Sequence, residues 1–224
     1  MMDRQSESPD QKTKADIFTI GHGKRSWEGF VELLKFHGVK RVVDVRAYPS
    51  SRKSPHFCKE KMELALAEEG ISYRWEGRAL GGFREPKGRS PHISLKNPGM
   101  RAYADHMASQ EFRQAASRVM RDASWAKTAI MCAEVDPFHC HRGLLADYLT
   151  VCGHRVFHIR SKSQPQLHKI SPLARVEGQN LIYDVPPPLL PGPQEEQFPL
   201  ASGAPSTGRT SASHQESSQM REGP

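Results

Sequence analysis

The chain has 224 residues, a formal charge of +7, a sequence pI near 9.3 and 37% hydrophobic residues. A length of this order suits one domain with flexible ends. The sequence holds no apolar run near the ~20 residues of a membrane span and has a polar start, so a soluble, cytoplasmic protein without membrane contact is expected.

In chain order, residues 1–15 have little to bury and are expected to be disordered. IFTI (17–20) is a short apolar strand, broken by Gly21, His22 and Gly23. Ser26 is placed to cap a helix whose Phe30, Leu33 and Leu34 recur at helical spacing and which Gly38 stops. RVVDV (41–45) is β-branched and reads as a strand buried on both faces. Residues 59–69 form a short helix with Met62 and Leu66 on one side, and ISYRW (71–75) is the next strand. LGGFREPKGRSP reads as loop. Tyr103, Met107, Phe112, Ala116, Val119 and Met120 mark a helix around 100–122.

TAIMCA (128–133) is the second strongly buried strand. Leu144, Leu145, Tyr148, Leu149 and Cys152 line a helix closed by Gly153, and RVFHI (155–159) follows as a strand. LIYDV (181–185) reads as an edge strand. From Pro186 onward a disordered Pro/Ser/Gly-rich tail is expected, in which PPPLLP is the stretch a proline-reading partner would take. The alternation over 16–185 implies a single α/β domain of three layers, a mainly parallel sheet with helices on both faces.

Ligands of such sheets bind beyond the carboxyl ends of the strands, and that rule selects residues. His22 follows the first strand, Asp44 and Arg46 end the second, and Cys132 and Glu134 end a later one. Cys140, His141 and Arg142 open the helix after it, where backbone N–H groups favour an anion and a thiolate. Glu134, leaving the core, suits proton transfer. Arg46 and Arg52 are candidates to clamp a polyanion, with Asp44 orienting a base or a ribose hydroxyl, or else pairing with Arg46 to hold the loop. Gly81 and Gly82 suit a tight turn or close backbone approach. The four cysteines are scattered and read as free thiols of a reducing compartment. No cofactor is expected. Zinc is the lesser reading, because Cys132, His139, Cys140, His141 and His22 supply donors without paired CxxC or HxxxH spacing.

TIGHGKRS, VVDVRAYPSSR, GISYRWEGRALGG and MCAEVDPFHCHR occur in the order of the Domain of Unknown Function 488 family, which the chain resembles from about Asp16 to about Tyr183. The resemblance implies an α/β domain and marks His22, Asp44, Arg46, Ser51, Arg52, Gly81, Gly82, Cys132, Glu134, Cys140, His141 and Arg142 as positions of the family pattern. Gly23 departs from it, standing where the family has Ser. The family brings no settled activity.

The residues themselves favour an enzyme, a hydrolase or transferase acting on a phosphate-bearing substrate such as a nucleotide or nucleic acid. Glu134 or His141 would move the proton, and Cys140 or a bound water would attack. His22 is a further acid–base or orienting group, and Arg46, Arg52 and Arg142 would hold the anion. Two alternatives stand beside it: a non-catalytic nucleic-acid or nucleotide-binding module, and a thiol or redox protein using Cys132 and Cys140.

Overall fold

The computed structural model describes residues 14–50 and 54–186. The sequence expectations for Ser51 and Arg52, and for both tails apart from residues 14–15 and 186, lie outside those residues. Strands β1 (Asp16–Gly21), β2 (Arg41–Asp44), β3 (Ser72–Trp75), β4 (Thr128–Cys132) and β5 (Arg155–Ile159) run parallel. A short β6 (Gln166–Leu167) adds antiparallel to β5. The order β3-β2-β4-β1-β5-β6 puts the first strand of the chain between β4 and β5.

Alternation of side chains along these strands builds two cores. Phe18, Ile20, Val42, Ala129 and Met131 face helices α1 (Trp27–Phe36) and α2 (Lys59–Glu68). Ile17, Val43, Ile130 and Cys132 face α3 (Gly77–Leu80), α4 (Pro98–Met107), α5 (Gln110–Trp125) and α6 (His141–Val151). This is the three-layer, mostly parallel α/β domain that the strand–helix alternation implies. Burial of each such Val, Ile or Phe is worth about 1.5–3 kcal/mol. Parity has a consequence for chemistry: Cys132 shares the face of Ile130, so its sulfur is delivered into the layer that contains α6.

The helices start where hydrogen-bonding caps stand. Ser26 Oγ accepts from Gly29 N–H at 3.1 Å, and Asn97, ahead of Pro98, accepts from Gly99 and Met100. The single helix read around 100–122 is instead two, α4 and α5. Ser109 Oγ accepts from Phe112 N–H and begins a new helix three residues after the first has ended. The edge strand read at 181–185 is also corrected. β8 (Asn180–Ile182) pairs with β7 (Arg175–Glu177) in a separate two-stranded ribbon, which sends Tyr183 into the core. Among the described residues no helix is long and apolar enough to cross a membrane.

Candidate functional site

A cleft of about 380 Å³ opens at the carboxyl edge of β2 and β4. Arg46, Ala47 and Tyr48 follow β2, Cys132 to Glu134 follow or end β4, and Cys140 and His141 begin α6. Gly82 and Phe83 close one side, and Asn97 and Met100 of the α4 start another. Of the residues selected from the sequence, Arg46, Gly82, Cys132, Glu134, Cys140 and His141 therefore line one cleft. His22, Asp44, Gly81 and Arg142 are not among its lining residues.

Cys132 and Cys140 meet, Sγ to Sγ at 3.4 Å, both buried and both unoxidised. The thiol donated by Cys140, with the charge of Arg142 nearby, draws the Cys132 pKa down to about 7 against the cost of burial. Donating to Cys132, and burial, push the Cys140 thiol up. Cys140 is also the N-cap of α6, its sulfur accepting from Arg142 N–H at 3.5 Å.

His141 is packed rather than free. Its Nε2 lies 3.2 Å from the carbonyl of Val45, its ring is edge-on to Tyr103, and Nδ1 lies 3.5 Å from Cys140 Sγ. A carbonyl only accepts, so the proton is on Nε2 and the Nδ1 lone pair faces the sulfur. Burial, with Arg142 and Arg84 nearby, lowers its pKa to about 4, so the ring is neutral. Gly82 passes so close that a Cβ there would fall 2.3 Å from His141 Nδ1. The paired glycines are therefore explained by packing: Gly81 in turn lies against Gly77 and Ala47.

The arginines take roles other than open anion clamps. Arg46 grips Asp44 through Nε and Nη2, and Asp44 also accepts from Arg46 N–H and Tyr73 OH. Asp44 is fully buried and its acceptors are filled, as in the loop-holding alternative for this pair. Arg142 is 1% exposed, and its Nη2 donates to the carbonyls of Glu134 and Val135. Its Nε and Nη1 are buried without a hydrogen-bond partner among the described residues. His22 stacks on Phe57 at 4.2 Å, with Nδ1 on the Gly23 carbonyl and Nε2 3.5 Å from Arg46 Nη1. Burial and the Arg46 charge hold its pKa at about 4. Glu134 itself is exposed, not held at the margin of the core, because β4 ends at Cys132 and the chain turns outward.

The family model described as Domain of unknown function DUF488 matches residues 26–149. The chain belongs to the DUF488 family. The match runs from the α1 cap into α6 and takes in every selected site residue except His22. Neither the curated proteins nor the solved structures gave a match. At Gly23 φ is +57° and a Cβ would approach Val135 Cγ2 to 2.4 Å, so this turn is built around the missing side chain.

Sequence reasoning missed the rim of the cleft. Tyr48 and Phe83 are 72% and 71% exposed, and their rings meet edge to face with centroids 5.8 Å apart. The available signal was their setting: each is an aromatic within a Gly- or Pro-containing loop, off any core periodicity. It also missed a buried polar chain behind the site. Thr19 meets His158, His158 meets His168, and Asp147 holds both His168 and Tyr183.

Proposed function

We propose that the protein is an enzyme, a hydrolase or transferase, acting on a nucleotide or nucleic acid in the cleft at the carboxyl edge of the sheet. The observation that carries this reading is a single cleft with reactive groups on its floor and exposed aromatics at its rim. Tyr48 and Phe83 offer faces on which a base would stack, an interaction worth about 1–3 kcal/mol per base. The positive end of α6 and the +7 charge of the chain favour a phosphate beside it. Glu134, exposed in the same cleft, is the group placed to take a proton from an attacking hydroxyl or water, with its carboxylate free in solvent to pass that proton on.

The test is turnover of a panel of nucleotides and short oligonucleotides by the wild type and by Glu134→Gln. The expected loss is about 10²–10⁴-fold, at unchanged melting temperature because the side chain is exposed. Tyr48→Ala is expected to raise KM more than it lowers kcat. Turnover that Glu134→Gln retains, or no turnover of any member of the panel, overturns the reading. Binding that weakens steeply with salt yet leads to no reaction would favour the non-catalytic module instead.

A further inference from the structure

We infer that Cys132, Cys140 and His141 form a three-ligand zinc site whose remaining coordination position opens into the cleft. The two Sγ atoms and one imidazole nitrogen all lie within 4.8 Å of one another. A tetrahedral zinc ion, about 2.3 Å from a thiolate and about 2.1 Å from an imidazole nitrogen, sets its ligand atoms about 3.5–3.8 Å apart. The separations here are 3.4 Å between the sulfurs and 3.5 Å from Cys140 Sγ to His141 Nδ1. Closing the triangle needs movement on the order of 1 Å at its third edge.

The surroundings are those a zinc ligand set needs. His141 donates Nε2–H to the Val45 carbonyl, which leaves Nδ1 bare and fixes the ring with that nitrogen toward the sulfurs. Cys140 Sγ accepts a backbone N–H from the first turn of α6, a bond that suits a thiolate better than a thiol. Arg142 brings a buried positive charge next to Cys140, which favours a thiolate there. All three ligands line the cleft, so the ion has a way in. The sequence spacing argued against zinc because it resembles no paired motif. The geometry assembles the set differently, from a strand end and the first turn of the helix that follows.

Binding is a proton exchange. Each thiol gives up its proton to solvent as its sulfur bonds the ion, and His141, already bare at Nδ1, gives up none. Three protein ligands leave an open position, the arrangement of reactive rather than purely structural zinc sites. Glu134, in the same cleft but outside the ligand cluster, stays available for proton transfer there. Use of the ion in catalysis rests on the function proposed above; the binding of zinc does not.

The test uses the full chain, stripped of metal and kept reduced, titrated with zinc sulfate against a chromophoric chelator. The expected result is one zinc per chain, with net release of protons to solvent. Cobalt in place of zinc should give a tetrahedral visible spectrum with sulfur-to-cobalt charge transfer, which counts thiolates without any mutation. Cys132→Ser and Cys140→Ser should each weaken binding by roughly a hundredfold or more, whereas Cys58→Ser and Cys152→Ser should bind as wild type. Zinc binding that survives both ligand substitutions, a cobalt spectrum without sulfur bands, or no binding at micromolar zinc overturns the assignment. Because the readout is stoichiometry, a chain that binds zinc but turns over nothing would sink the proposed reaction and leave the metal site standing.

Discussion

Asp44 and Arg46 show how a reactive-looking pair becomes structural. The carboxylate is fully buried and the guanidinium nearly so, and the two meet through Nε and Nη2 with further bonds from Tyr73 and to the Phe57 carbonyl. Removing one charge strands the other away from water. Arg46→Ala is therefore expected to destabilise the fold by about 3–5 kcal/mol in urea unfolding, and an Asp44→Leu/Arg46→Met double variant by less than the single one. Equal loss in the two would show that side-chain packing, not the stranded carboxylate, sets the cost. At this scale the sequence disclosed which residues gather, because Asp44 and Cys132 end parallel strands at the carboxyl edge and Cys140 caps the helix that follows β4. It did not disclose which way each polar group turns. Arg142 stands in the first turn of α6, as read, yet it is buried and its Nη2 donates to the carbonyls of Glu134 and Val135. Nothing in a one-dimensional pattern records that choice of acceptor.

Between elements, the chain from Thr19 through His158 and His168 to Asp147 and Tyr183 ties β1 and β5 to α6 and to the segment after β8. Burial, followed by the charges of His168, Arg142 and Arg160, lowers the His158 pKa to about 3. The unfolded chain takes up a proton there below its ordinary value of 6.5, whereas the folded chain resists until about pH 3. Stability from this group is thus complete above pH 6.5 and drains away as pH falls toward 3, at up to about 1.4 kcal/mol per pH unit. His158→Gln should melt lower at pH 7.5 but lose less on acidification to pH 5. The slope should shrink rather than vanish, because His22 titrates in the same sense. An unchanged slope would remove His158 from the account. The helices were legible in the sequence to the extent that spacing was read closely. Phe112 follows Met107 by five positions, which no single helical face accommodates, and Ser109 within that gap is the cap of α5. The β7–β8 ribbon was harder, since Leu181 and Tyr183 alternate as any strand would and only the partner strand tells a ribbon from a sheet edge.

For the whole molecule, the bounds of the family match and those of the sheet differ. Residues 26–149 include β2, β3 and β4 but neither β1 nor β5. β1 is the strand that joins β4 to β5, and it contributes Ile17 to one core and Phe18 and Ile20 to the other. A fragment cut to 26–149 is expected to give no cooperative thermal transition by circular dichroism, whereas residues 14–186 should melt as the full chain does. A cooperative melt of the shorter fragment would mean that the half-sheet β3-β2-β4 is stable alone. The placement of β1 also bears on how the chain is made. Ile17 leaves the ribosome ahead of the rest of this sheet, and its partners Thr128 and Val156 are synthesised roughly 110 and 140 residues later. At about 5–20 residues per second, the nascent strand waits for at least several seconds with both edges unpaired. During that interval β2 and β3 already have each other, so the strand of this sheet that is made first is among the last to dock, and its apolar run stays uncovered longest of the five parallel strands.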